Sequence, residues 1–340
     1  MKVMVTGGTG FTGSHTVKAF VAAGHTVRLL VRDSSKVRRV FDPHGIGIPE
    51  DQIVVGDIVD ETSVAEAMKG CDAVFHCAAL VDLRRSMAKA VLDTNARGVD
   101  LVVGGAVQRG LPSTVYVSSI SVFFDPGCPP LHEGLPIAPA RTAYGRSKAD
   151  AERAIRRMQD EGAPIRVSYP TGIAGPEDPG MSGANHVFYT WFVDLGLETS
   201  SGFQIVDVRD VAALHRRLLE LPEGAHRYPA AGGMLSWAEA YELAERLTGT
   251  RIRRVTLPGN VVRVLGTAGD WVKRVYDFNF PLTRDSMEFA TQWPGANASR
   301  TTDELGVEFR PLEETYTDTL RSLYRAGRLT AAQVGRLADG

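Results

Sequence analysis

Short apolar runs alternate with stretches of helical periodicity through residue 230. Val3-Met4-Val5 reads as a buried strand, and the pattern after it places Val17, Phe20 and Val21 on one helix face. Gly24 then sits where a helix-ending glycine belongs. The alternation recurs. Strands are predicted at Thr26–Val31, Gln52–Val55, Ala73–Ala79, Thr114–Val117 and Ile165–Ser168, with a last short one at Arg227–Ala230. Helices are predicted from about Ala88 to Arg109 and around Tyr144–Lys148. His76 falls inside a strand and reads as a core histidine with its hydrogen bonds satisfied.

Strand–helix–strand units in series predict an α/β chain of the Rossmann type. Its doubly wound parallel sheet is joined by right-handed crossovers. After the sixth strand the regularity drops. Pro170-Thr171-Gly172-Ile173-Ala174-Gly175-Pro176 has loop chemistry, and residues 177–203 gather Phe188, Tyr189, Trp191, Phe192, Leu195 and Leu197. Asp207-Val208-Arg209-Asp210-Val211-Ala212 opens a helix that returns to the main sheet. Residues 231–340 read as helices, one capped by Ser236 and running through Thr248, another from Leu312 to Ala326.

The turn between the first strand and the first helix is Thr6-Gly7-Gly8-Thr9-Gly10-Phe11-Thr12-Gly13. A glycine-rich turn there lets backbone N–H groups and the positive helix end approach a pyrophosphate. The spacing fits Gly8, Gly10, Gly13 or Gly7, Gly10, Gly13. Residues 1–176, with 204–230 returning, then form a dinucleotide-binding domain. Residues 177–203 and 231–340 form a smaller, mainly helical C-terminal substrate lobe.

Charge adds little: 38 basic against 40 acidic residues give no case for nucleic acid or an anionic membrane surface. Lys36-Val37-Arg38-Arg39 is too short for a nucleic-acid tail. Cys71, Cys77 and Cys128 have no metal spacing, so free thiols, no disulfides and no metal are expected. No apolar run is long enough to span a bilayer. The first strand begins at Lys2 and leaves no room for a leader, so a cytoplasmic chain is expected, in which the sequon Asn297-Ala298-Ser299 has no meaning.

At the end of the second strand, Val31 stands where an NAD enzyme of this design places an acidic residue. Arg32 follows, with Arg38 or Arg39 one or two helical turns on. Together they suit a 2′-phosphate and favour NADP, with NAD as the other choice. Asp33 can cap the next helix or bind ribose. Asp57, just past the third strand, suits the adenine amino group or caps a helix. Ala78 and Ala79 leave room for a cofactor across the strand ends.

Tyr144 and Lys148 are four apart and share a helix face. A phenol titrates near 10, and a neighbouring ammonium favours the phenolate, so the pair is expected to bring Tyr144 toward the working range. Lys148 can also donate to a nicotinamide ribose. Ser119, at a strand end, can donate to a substrate oxygen.

These elements, in this order, resemble the extended short-chain dehydrogenase/reductase superfamily, also called the NAD-dependent epimerase/dehydratase family. Thr6 to Gly13 match its T-G-x-x-G-x-x-G signature, which selects Gly7, Gly10 and Gly13. Tyr144 and Lys148 match its Y-x-x-x-K. Ser118-Ser119-Ile120-Ser121-Val122-Phe123 is similar to its S-S-x-x-V-Y and assigns Ser119 as the catalytic hydroxyl. Tyr169 to Pro176 resemble its R-P-x-x-V-x-G-P loop, with Tyr169 in place of the arginine. Val208 to Ala212 match its V-x-D-V-A.

The resemblance implies cofactor contacts at Thr6, Gly7, Gly10, Phe11, Thr12, Gly13, Arg32, Asp57, Ile58, Ala78, Ala79, Asn95, Val117, Tyr144, Lys148, Pro170 and Ile173. It also implies a homodimer through the helices carrying Asn95 and Tyr144. Ile120-Ser121 replaces the Asp-Glu pair of sugar dehydratases. Phe203 stands where nucleotide-sugar enzymes carry an arginine. With Phe188, Trp191 and Phe192 nearby, an apolar small molecule is the expected substrate. Arg28-Leu29-Leu30-Val31-Arg32-Asp33 and the basic helix after it resemble the dihydroflavonol and cinnamoyl-CoA reductase branch. The expectation is hydride transfer between nicotinamide and a ketone, aldehyde or alcohol. The alternatives are a nucleotide-sugar epimerase with tightly bound NAD and a cofactor-sensing regulator without turnover.

Overall fold

The computed structural model describes residues 1–273, 275–276 and 282–339. Residues 274, 277–281 and 340 of the expected lobe lie outside the described residues. A seven-stranded sheet, all its strand pairs parallel, takes β1 (Lys2–Thr6), β2 (Thr26–Val31), β3 (Ile53–Val55), β4 (Ala73–His76), β5 (Ser113–Val117), β6 (Ile165–Pro170) and, from far along the chain, β10 (His226–Ala230). The spatial order is β10-β6-β5-β4-β1-β2-β3. It reverses between β1 and β4, the crevice where open sheets of this type bind ligands. The expected doubly wound sheet is therefore present.

Helices α1 (Phe11–Ala22), α2 (Ser35–Phe41), α3 (Glu61–Met68), α4 (Ala88–Gly98), α5 (Gly105–Gln108) and α6 (Ala143–Asp160) connect the strands. β4 and β5 are buried throughout, as strands covered on both faces must be. The helix expected over Ala88–Arg109 loosens to π geometry at Val99–Gly104 before α5 resumes.

Beyond residue 170 the structure corrects three expectations. The Pro170–Pro176 stretch is not all loop: β7 (Gly172–Ala174) pairs with β9 (Gly202–Asp207), which pairs with β11 (Met234–Ser236). The far region is not all helix: β8 (Gly196–Glu198) pairs with β12 (Arg254–Thr256). These strands of three to six residues give too few alternations for a period to register. Third, Phe188, Trp191 and Phe203 are buried. They pack with Tyr241 and Tyr316 in a closed aromatic core, Phe188 meeting Tyr316 edge-on at 4.6 Å and Trp191 meeting Tyr241 at 4.9 Å. Phe192 packs against the same cluster.

Candidate active site

The glycine turn has one register. Gly7 holds φ at +73°, and a Cβ there would stand 2.8 Å from the Ala78 amide nitrogen. A Cβ on Gly13 would stand 2.1 Å from the Gly7 carbonyl oxygen, so the helix could not approach the turn. Gly10 N–H closes the turn on Gly7 O at 3.0 Å. Gly8 would meet only side-chain atoms of Leu29, Val5 and Val17 at 3.1–3.4 Å. Gly10 precedes α1, and no side chain caps that helix start. The first N–H groups of α1, at Phe11 and Thr12, suit a phosphate. Phe11 itself is buried, edge-on to His15 at 5.7 Å.

Thr6 is fully buried. Its hydroxyl sits 2.7 Å from His76 Nδ1 and accepts the Ala78 N–H at 3.3 Å. It thus fixes the strand ends around the crevice. Ala78 and Ala79 are half-buried there. His76 is a satisfied core histidine, its pKa pushed down to about 3 by burial and by Lys148.

At the ribose end, Arg32 is exposed directly after β2. The other candidate arginines are engaged. Arg38 pairs with Glu50 at 2.6 Å, and Arg39 reaches Asp33 at 3.6 Å and Ser35 Oγ at 3.2 Å. Asp33, just before the N-cap Ser34, accepts the Ser35 N–H at 2.9 Å and the Ser35 Oγ–H at 2.7 Å. Arg32 is left as the arginine with no ion pair among the described residues. Asp57 accepts the Val59 N–H at 3.2 Å in a local turn and does not cap α3; Asp60 does that. Ile58 is half-buried against the Met4–Leu30 cluster.

Asn95 is buried beside the loop after β4. Its amide accepts the Leu80 N–H at 2.7 Å and donates to Leu80 O at 3.1 Å and to Ser147 Oγ at 3.0 Å. It braces the loop after β4 with both amide N–H groups and its oxygen. Pro170 is buried at the end of β6, and half-buried Ile173 packs against the main core from β7.

Three consecutive residues at the end of β5 take different partners. Val117 O accepts a hydrogen bond from Lys148 Nζ at 3.0 Å. Ser118 turns inward and donates to Glu152 Oε2 at 2.9 Å. Ser119, half-buried, accepts the Ser121 N–H at 3.3 Å and shares a 2.8 Å contact with Ser121 Oγ. Alternation along the strand end therefore leaves Ser119, not Ser118, facing the crevice.

Tyr144 enters α6 just past its N-cap Thr142 and is half-buried. Its pKa is not lowered as expected. Burial pushes it up to about 12, and the Cys77 thiol adds to the rise. Lys148 supplies no opposing pull: it is 8 % exposed, its ammonium is held on Val117 O, and burial lowers its own pKa. Sequence spacing gives a shared helix face but not the direction of a four-carbon side chain. Sequence reasoning also missed Glu152. Its signal was available, since it lies four residues after Lys148 on the face carrying Ala149 and Ile155.

The model for the NAD dependent epimerase/dehydratase family matches residues 3–229. Cinnamoyl-CoA reductase 1 of Petunia hybrida is 26% identical over 96% of this chain and 93% of its own length. The 4-hydroxy-2-methyl-3-oxo-4-farnesyl-3,4-dihydroquinoline-1-oxide ketoreductase of Stigmatella aurantiaca is 26% identical over 96% of this chain and 98% of its own. Among solved structures, the UDP-glucose-4-epimerase of Stenotrophomonas maltophila with bound NAD and formylated UDP-arabinopyranose superposes with a TM-score of 0.77. It is 23% identical, with 96% of this chain and 99% of that one covered.

Proposed function

The chain belongs to the NAD dependent epimerase/dehydratase family, and from that premise we propose that it is an NADP(H)-dependent reductase of an apolar carbonyl compound. The observation that carries the reading is the β5 end. Its successive residues aim Ser119 at the crevice and seat Lys148 on Val117 O, beside the helix that carries Tyr144. The turn at Gly7, Gly10 and Gly13 fits a pyrophosphate, because a Cβ at Gly7 or Gly13 would close it. A nicotinamide supplies the hydride when bound. Ser119 donates to the substrate oxygen, and Tyr144, protonated near neutral pH, delivers the proton to that oxygen. Lys148 orients the nicotinamide ribose. Gly10, Phe11, Thr12 and Gly13 serve the phosphates through the backbone, and Asp57 and Ile58 the adenine. Ala78, Ala79, Val117, Pro170 and Ile173 flank the cofactor. Residues 177–203 and 231–340 supply the substrate lobe.

The apolar preference no longer rests on Phe188 and Trp191. It rests on the aromatic group next to the serines. Phe124 meets Phe289 edge-on at 4.9 Å and Trp293 at a tilt at 5.8 Å, and Phe289 is 37% exposed. The names of the Petunia and Stigmatella relatives, a reductase and a ketoreductase, agree with it. The assay is NADPH consumption with prenylated or aromatic ketones, beside UDP-glucose epimerisation. The expected result is oxidation of NADPH by the ketones. Epimerisation with no NADPH consumption would replace this reading.

The cofactor choice rests on Arg32, an exposed guanidinium suited to a 2′-phosphate. NADP⁺ is expected to raise the melting temperature more than NAD⁺. Arg32→Gln should weaken NADP⁺ about tenfold, as one charge-assisted hydrogen bond implies, and leave NAD⁺ unchanged. A larger shift with NAD⁺ in the unsubstituted protein would reverse the choice.

A further inference from the structure

We propose that Glu152 is a positioning residue that keeps Lys148 charged and locks the end of β5 to α6. The inference rests on the reading above, in which Lys148 orients the nicotinamide ribose. Glu152 has no solvent exposure. Its Oε2 accepts from Ser118 Oγ at 2.9 Å, and its Oε1 accepts from Tyr169 Oη at 2.6 Å and from Arg156 Nε at 3.0 Å. Arg156 continues outward to Glu133 O at 3.1 Å and lies 5.3 Å over the Phe123 ring.

A fully partnered buried ion pair is a poor device for stability alone, because apolar side chains of like volume do as well. Its placement points to another task. Glu152 follows Lys148 by one helical turn on α6. Two residues in a row at the end of β5 are thereby tied to α6, Val117 to Lys148 and Ser118 to Glu152, and Ser119 comes next. Tyr169, which stands where an arginine was expected, gives the carboxylate a neutral donor, and the cation comes instead from Arg156 on the helix itself.

The groups facing Lys148 are His76 and Cys77 at β4, Tyr116 on β5, whose ring centroid is 5.4 Å away, and Glu152 on α6. Burial lowers the Lys148 pKa, while Cys77 and Glu152 raise it. The Cys77 thiol is itself pushed up to about 11 by burial and stays neutral near pH 8. Glu152, ion-paired with Arg156 and one helical turn from Lys148, is then the carboxylate on α6 placed to favour the protonated lysine.

The test is NADPH affinity by fluorescence titration from pH 6 to 10. Affinity should fall at alkaline pH as Lys148 loses its proton, and Lys148→Met should abolish that limb. Glu152→Gln keeps the hydrogen-bonding shape without the charge and should move the limb down by about one pH unit. Glu152→Asp should restore it. If Glu152→Gln fails to fold, Arg156→Gln, nearer the surface, removes the opposing cation and should move the limb up. A limb unmoved by Glu152→Gln, or by Arg156→Gln in its place, overturns the inference and leaves the reductase reading standing. Wild-type NADPH affinity in Lys148→Met at every pH overturns the reading itself.

Discussion

Tyr144→Phe is expected to lower ketone turnover by about 10²- to 10⁴-fold, the range one positioned proton donor contributes. NADPH affinity should stay within a few fold, because the pyrophosphate turn and Lys148 are untouched. The fold should hold, since no hydrogen bond to the Tyr144 hydroxyl occurs among the described residues and the ring is kept. The phenol pKa near 12 sharpens this expectation. Before cofactor binds, burial keeps Tyr144 protonated, which suits donation to a carbonyl oxygen being reduced. Alcohol oxidation needs the phenolate and should rise with pH, while carbonyl reduction stays nearly flat from pH 6 to 8. Steady-state rates in both directions check this. Turnover within tenfold of the unsubstituted protein would remove Tyr144 from the proton transfer.

Acidification is expected to destabilise the fold steeply between pH 6.5 and about 4. Three buried histidines are neutral in the folded chain. Burial pushes His76 and His215 down to about 3 and His15 to about 4. His215 lies 2.8 Å from both Thr16 Oγ1 and Ser168 Oγ, and His15 Nε2 lies 3.1 Å from Pro176 O. The sign follows from linkage. Below 6.5 the unfolded chain takes up these protons and the folded chain does not, so stability is fully present above pH 6.5. It falls as pH drops toward the folded values. Each histidine removes about 2 kcal/mol by pH 5, and the three together about 6 kcal/mol, comparable with the whole stability of many domains. Urea unfolding at pH 7.5 and pH 5.0 measures the difference, and equal stabilities would contradict the burial of these rings. Carboxylates held below their usual range, such as Asp207 beside Arg209, act only at lower pH.

Much of this was legible in the residues themselves. Period and glycine placement located the seven strands of the main sheet and the glycine turn, because its central parallel strands, buried on both faces, appear as continuous apolar runs. Motif order singled out Ser119, Tyr144 and Lys148 as the proposed reacting group. What sequence misjudged was direction and packing. Arg38 and Arg39 turned to Glu50 and Asp33, and the aromatic residues near Trp191 turned into a core. An aromatic run reads the same whether it lines a pocket or fills one.

The sequence by itself determined the doubly wound sheet and the family, and it offered Gly7, Gly10 and Gly13 as the register of the turn and Ser119, Tyr144 and Lys148 as the proposed reacting group. Those depend on local backbone preference and on spacing, which the chain carries in one dimension. Only the tertiary structure decided the electrostatics. Whether Lys148 lowers the Tyr144 pKa depends on where its ammonium rests, and that is fixed by a carbonyl 31 residues away on β5. Whether Glu152 is a solvated helix charge or a buried partner depends on Ser118 and Tyr169 arriving from two other strands. Burial and hydrogen bonding set a pKa, and both are properties of what surrounds a residue in space.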